Sequence, residues 1–265
     1  ATFTGSVVVT TLQSLCLYPV LDVDPTASAA QTIEIQITNP STGVVGSGGA
    51  LVEPATVVAL AGTTNLVQAV LTQQNYHWRN DDGNESGATS ATANTPNAPY
   101  TSLPKSVTKR LRMAVFNDGN TDSAATQYRL EYAVKSAALC SDPSFTWIDV
   151  GAASGDFDMA LSSNFADGDN TTDISNATGG VTNPDTDLET PNAAMKESSS
   201  QTANITLDSN DFVELEYAVA ANASAVSGTS YCFRVTSAGT PIVYNDYAEA
   251  TISADEIVDS IGTQT

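Results

Sequence analysis

The chain has 265 residues, with 30 acidic side chains against nine basic ones, a formal net charge of -21, three cysteines and one histidine. Nucleic-acid affinity rests on Lys and Arg displacing counterions from phosphates, so this balance speaks against a nucleic-acid partner. No apolar run approaches the roughly 18 to 20 residues of a membrane-spanning helix. A hydrophobic content of 41% is too high for a disordered chain, and Ser and Thr make up nearly a quarter of the residues while Lys, Arg and Glu are sparse. That mixture favours β-structure with long polar loops over helices.

The first residues, Ala1-Thr2-Phe3-Thr4-Gly5, have neither a basic stretch nor an apolar leader and read as a mature terminus left by a signal peptidase. An exported protein at the cell surface is the expectation. The segment Thr2 to Thr11, with Thr4, Val7, Val8, Val9 and Thr10 at its centre, is β-branched, uncharged and free of proline. Such a strand is an aggregation hazard unless it is paired, either within its own domain or by donation to the next copy.

Further along, Thr32 to Thr38 alternates strictly and ends at Asn39-Pro40 before a glycine-rich stretch. Leu60 to Gln74 fits a strand or a helix. Strands are expected at Leu66 to Trp78, Arg110 to Asn117, Gln127 to Val134, Phe145 to Val150, Asn204 to Leu207, Phe212 to Ala220, Thr229 to Thr236 and Asp246 to Ile252. Loops rich in Gly, Asn, Asp, Ser and Thr fill 80–102, 118–126 and 167–201. The last is too long for a plain turn and reads as a folded excursion. With no βαβ alternation, the fold class expected is an all-β, Ig-like antiparallel β-sandwich over 61–254, preceded by an N-terminal β-rich segment over 1–60 and followed by a tail over 255–265.

Cys140 and Cys232 lie in strand-like contexts, and joining them would close a loop of about 92 residues, worth roughly 4 to 5 kcal/mol in the chain-entropy model. Cys16 is then a buried thiol or a link to another chain. Sequons at Asn84, Asn170, Asn176, Asn204 and Asn222 could accept sugar in an exported protein.

The stretch Gly228-Thr229-Ser230-Tyr231-Cys232-Phe233-Arg234-Val235-Thr236 resembles the penultimate strand of an immunoglobulin or fibronectin type III sandwich, with a tyrosine corner before it. Together with Tyr76-His77-Trp78-Arg79-Asn80-Asp81-Asp82-Gly83 and Arg129-Leu130-Glu131-Tyr132, it is similar to modules in large secreted surface proteins of uncultured bacteria. The resemblance covers roughly Leu66 to Ile252. Its motifs are structural and imply a sandwich without assigning any catalytic residue.

The chemistry-bearing residues are few. A nucleophile–base pair would have to be built on His77, which reads as a strand-surface residue between Tyr76 and Trp78, and there is no Gly-x-Ser-x-Gly elbow. One His and three scattered Cys cannot make a closed zinc site. The expectation is therefore that the protein is not an enzyme and needs no cofactor, calcium excepted. Asp81 and Asp82 in one loop, and Asp167, Asp169 and Asp173 in another, offer alternating oxygen ligands for calcium; turn-forming Asp and Asn are the ordinary alternative. Trp78-Arg79 and Trp147 could present a sugar-stacking platform or lie in the core.

Residues 136–265 hold 20 acids and two bases, whereas 1–135 hold ten acids and seven bases. The Lys105, Lys109, Arg110 and Arg112 face could therefore sit against the acidic loop of a neighbouring copy, or be plain solvated surface. The functional expectation is a structural subunit of an extracellular filament or surface polymer, its partners being identical subunits joined head to tail through the N-terminal strand. The alternative is a monomeric adhesion or carbohydrate-binding module that takes surface glycans.

Overall fold

The computed structural model describes residues 32–33, 36–37, 58–59, 64–65, 68–175, 179–183 and 187–254. The residues expected to form an inter-subunit strand, Thr4, Val7, Val8, Val9 and Thr10, together with Cys16 and Asn176, lie outside them. The chain divides into two compact units, Ala1–Leu66 and Val67–Thr265. In the first, β1 (Thr32–Ile33) pairs antiparallel with β4 (Thr64–Asn65), and β2 (Gln36–Ile37) with β3 (Val58–Ala59).

The second unit is an all-β sandwich, as the composition predicts. One sheet has the order β10 (Phe157–Met159), β13 (Phe212–Ala221), β7 (Lys109–Asn117), β5 (Leu71–Asn80), β16 (Val243–Tyr244), with β11 (Met195–Lys196) also on β13. The other has the order β12 (Gln201–Ile205), β8 (Thr126–Val134), β14 (Ser230–Ser237), β17 (Ala248–Ile252), β6 (Tyr100–Leu103), with β9 (Ile148–Asp149) on β8 and β15 (Thr240–Pro241) on β14. The pairing is mixed rather than purely antiparallel: β11 on β13, β16 on β5 and β6 on β17 are parallel. The ambiguous stretch 60–74 contributes strand residues Thr64–Asn65 and the start of β5. The shortest strands, β6, β10, β11, β15 and β16, escape a periodicity reading because two to four residues are too few to show a period.

Period-two alternation puts Tyr76, Trp78, Leu111, Met113, Val115, Leu215 and Tyr217 on one inner face, and Tyr128, Leu130, Tyr132, Tyr231, Phe233 and Val235 on the other. Phe157 packs edge-on against Tyr132, Tyr231 and Phe233 at ring separations of 5.1, 5.0 and 4.9 Å. Each such ring contributes about 1.5–3 kcal/mol through burial. Trp78 is fully buried, and its Nε1–H donates to Glu249 O at 2.9 Å, so it belongs to the core and not to an exposed platform.

The first sheet has its edges covered by the chain itself. Along β5, Asn97 N–H and Ala91 N–H donate to Tyr76 O and Trp78 O, and Asn97 Oδ1 accepts from Tyr76 N–H. Along β13, Glu189 N–H bonds Phe212 O, Thr171 Oγ1–H bonds Glu214 O, Glu216 N–H bonds Ala194 O and Ala160 N–H bonds Ala218 O. Loops that occupy a strand edge in this way block pairing with another chain.

Candidate functional site

The outer faces of both sheets are covered, and the polar chemistry of the sandwich concentrates there. Along β5, β7 and β13, the residues alternating with the core set are His77 and Arg79, Arg110 and Arg112, and Glu214 and Glu216. The register places His77 opposite Arg112, Arg79 opposite Arg110, and Glu216 opposite Arg112. Alternation alone expects Glu and Arg at such positions to face water. Instead all six are fully buried, because the loops that follow β5 and β10 fold over this face. The long loop is thus the folded excursion that its length implies.

Under these loops one carboxylate serves three guanidiniums. Glu216 Oε2 accepts from Arg79 Nη1 at 2.7 Å and Arg112 Nη1 at 2.5 Å, while Oε1 meets Arg110 Nη1 at 3.3 Å. Arg112 also binds Glu214 and Glu85, and Arg110 binds Asp81. Remaining donors reach loop carbonyls: Arg110 to Gly83 O, Arg112 to Thr172 O, Arg79 to Ala88 O. Burial pushes the Glu216 carboxyl up, but the guanidiniums of Arg112, Arg79 and Arg110 outweigh it and hold the group below its ordinary value. At Glu214 burial wins over Arg112, and the carboxyl is raised. Arg110 and Arg112 are therefore spent within their own chain. This corrects the expectation that, with Lys105 and Lys109, they form a face for the acidic loop of a neighbour.

His77 is likewise corrected from strand surface to interior. Its Nδ1–H donates to Gly180 O at 2.6 Å, and its Nε2 lies 2.7 Å from Ser90 Oγ. Ser90 Oγ in turn accepts from Thr92 N–H and Asn94 N–H, so the ring fastens two loops to the sheet. Gly179, at φ +84, packs on the Arg79 stem where a Cβ would collide, which is why the segment closing over the network carries a Gly-Gly pair. Burial, followed by the nearby Arg79 and Arg112 charges, lowers the His77 pKa. The unfolded chain then binds a proton below about pH 6.5 that the native state refuses, so stability is present above that pH and is lost as pH falls. We expect the urea midpoint to decline from pH 7 to 5, and the decline to flatten in His77→Gln.

The second sheet carries a smaller cover. Cys140 and Cys232 are joined, with Cα atoms 5.7 Å apart, and pack with Ala133 and Phe145 on the outer face of β8 and β14. Beside them Arg234 makes a two-nitrogen contact to Glu131 Oε2, at 2.9 and 2.8 Å, and lies 4.2 Å over the Trp147 ring. Trp147 stacks on Tyr247 at 5.8 Å, and Tyr247 contacts Tyr244 at 4.8 Å. Trp147, Tyr244 and Tyr247 are all half-buried.

The five aspartates read as calcium ligands are engaged by protein donors. Asp81 accepts from Arg110, Ser162 and Asn164; Asp82 from Thr89; Asp169 from Ala166 N–H; Asp173 from Asn183. Asp167 binds Lys196 and the amides of Glu197 and Ser198; these outweigh burial and hold it down to about 2. The carboxylates that do converge among the described residues are Glu189, Asp208 and Asp211, within 4.8 Å of one another. Clusters of exposed acidic groups are common without an ion, and this one is not assigned a metal. Sequence reading misses this group because its members lie about 20 residues apart in two loops; their only signal is a general richness in Asp.

Burial and then mutual repulsion, including that of Asp122 and Asp187, raise Glu189 and Asp211. A raised carboxyl costs stability when ionised and releases that cost as pH falls through its folded pKa. Asp211→Asn should therefore stabilise the fold at pH 7 by a few tenths of a kcal/mol after solvent screening, with the gain vanishing in acid or high salt. Thermal denaturation at pH 7 and pH 4 reads this.

Of the sequons, Asn84, Asn170 and Asn204 are exposed. Asn222 donates its Nδ2, the atom that would carry sugar, to Gly155 O at 2.6 Å. No helix among the described residues is long and apolar enough to cross a membrane. No protein-family model matches the chain, and no curated protein is significantly similar to it.

Proposed function

We propose that this protein is a non-catalytic structural subunit of an extracellular filament or surface polymer, joined head to tail through its N-terminal strand. The observation that carries this reading is the way the sandwich is traversed. The chain enters β5 beside Asp118 and Asn120 at one pole, and leaves β17 beside Leu103 at the opposite pole. A unit entered at one end and left at the other suits serial, heterologous assembly, which propagates instead of closing.

The covered edges of the β5–β7–β13 sheet narrow where a donated strand could add. The short outer strands of the other sheet, β6 and β12, are the candidates, since β-augmentation needs unpaired backbone groups. The uncharged strand around Thr4, Val7, Val8, Val9 and Thr10 is the donor. Deleting residues 1–12 should abolish polymers in negative-stain images and leave a folded monomer; filaments unchanged by the deletion would sink the donor-strand reading.

A second reading, a glycan-binding module with an Ig-like fold, draws on the half-buried rings of Trp147, Tyr244 and Tyr247 beside Arg234. It requires monodisperse protein retained on a glycan matrix and released by Trp147→Ala.

A further inference from the structure

The protein's one histidine holds the cover over one sheet edge in place. The outer edge of β5 is covered in two stretches. β16 lies along Thr72 and Gln73, with Asn245 N–H donating to Gln73 O at 2.9 Å. The loop 89–97 lies along the rest: Asn97 N–H and Ala91 N–H donate to Tyr76 O and Trp78 O at 2.8 and 2.9 Å, and Asn80 N–H donates to Thr89 O at 2.8 Å. No residue of this loop is fully buried, and Ala93, Asn94 and Asn97 are held at φ values of 53, 60 and 57°, in the left-handed region that a non-glycine residue enters at a cost. A segment with few buried contacts and a strained backbone opens readily unless something pins it.

The pin is Ser90, and the bonds at its hydroxyl fix the charge state of His77. A carbonyl only accepts, so the contact with Gly180 O puts the proton of the neutral ring on Nδ1 and leaves Nε2 bare. Nε2 then accepts Ser90 Oγ–H at 2.7 Å, while both lone pairs of that oxygen are taken by Thr92 N–H and Asn94 N–H at 3.1 and 2.8 Å. A second ring proton, on Nε2, would point at an oxygen with no lone pair left, and the Ser90 hydroxyl proton would lose its acceptor. The charged groups packed on this face give the added charge no partner of its own. Arg79 on β5 and Arg110 and Arg112 on β7 repel it; Glu216 and Glu214 on β13 and Glu85 from the loop after β5 are bonded to those guanidiniums, and Asp173 to Asn183.

We propose that His77 is a proton-operated latch: the neutral ring holds loop 89–97 on β5, and protonation at Nε2 lets go of Ser90, frees the loop and bares Tyr76 to Asn80 as an open strand edge. A bared edge offers unpaired backbone groups to another strand, so the block on pairing along this sheet edge holds at neutral pH and lifts in acid. The sign follows from the closed ring refusing a proton that the opened one takes below about pH 6.5. The inference stands on the bonds at His77 and is independent of the polymer reading.

Amide hydrogen exchange on the full chain, corrected for the intrinsic effect of pH, tests it residue by residue. Protection at Ala91 and Asn97 should fall by about 25-fold from pH 7 to pH 5, the ratio set by a ring that titrates near 6.5 only when the loop is open. Asn245, on the same strand edge but in the stretch covered by β16, should remain about tenfold or more better protected than either at pH 5. In His77→Gln, whose side chain takes no proton, protection at Ala91 and Asn97 should not change with pH. Ser90→Ala leaves the ring in place and cuts the latch, so both amides should exchange at pH 7 as the wild type's do at pH 5.

Protection at Ala91 and Asn97 that is equal at the two pH values, that falls only in step with global unfolding measured in urea, or that Ser90→Ala leaves intact would each overturn the proposal. A fall of the same size in His77→Gln would overturn it too, and would assign the titration to Glu214, whose carboxyl is raised and which bonds Arg112 and Asn183 rather than the 89–97 loop.

Discussion

Glu216→Gln should destabilise the fold by about 3–5 kcal/mol, the cost of breaking a buried ionic network from one side. The substitution keeps the shape of the side chain and removes its charge, so Arg79, Arg110 and Arg112 lose the carboxylate they share. Arg112 retains Glu214 and Glu85, and Arg110 retains Asp81, which leaves Arg79 the most exposed to the loss. Domains of this size are stable by only about 5–15 kcal/mol, so the variant should sit near the folding threshold. The measurement is the urea midpoint at constant m-value. A loss under about 1 kcal/mol would show that water screens the network and that the covering loops are not anchored by it.

Cys140→Ser with Cys232→Ser should cost roughly 4 to 5 kcal/mol in the chain-entropy model, because the 92-residue separation is a long loop to free in the unfolded state. A second loss adds to it, since the bridge also seats Phe145 and Ala133 in the small cluster on the outer face of β8 and β14. The two contributions can be separated. Reduction of the wild type acts mainly on the unfolded chain, whereas Phe145→Ala with the bridge intact acts on packing alone. If reduction leaves the thermal midpoint unchanged, the entropic account fails for this protein.

The long strands were legible because their alternation extends over eight to ten residues: β5, β7, β8, β13 and β14 all coincide with expected segments. The same alternation misassigned their outer residues. Arg110, Arg112, Glu214 and Glu216 occupy the positions that face away from the core, and a half-buried sheet would leave them in water. Here the face is covered by loops whose sequence is polar and aperiodic, and nothing local indicates where those loops land. His77 was misread for the same reason: its partners, Gly180 and Ser90, are 103 and 13 residues away. The converging acids Glu189, Asp208 and Asp211 were missed because convergence is a property of two loops together.

The chain's 30 acids against nine bases fixed its electrostatic class, and its alternation fixed an all-β core, since composition and period two are local quantities. The Cys140–Cys232 pairing was also within reach, the odd third cysteine notwithstanding, although of the two only Cys232 lies in a strand, β14, while Cys140 sits in a turn between β8 and β9. Where the scarce positive charges go was decided only by tertiary structure. Three of the nine bases are buried around one glutamate, because a guanidinium leaves water only where folding brings carboxylates and carbonyls from distant segments within bonding distance. The same holds for the contact of β5 with β16: strands that meet in parallel across about 170 residues of sequence carry no local signature of each other.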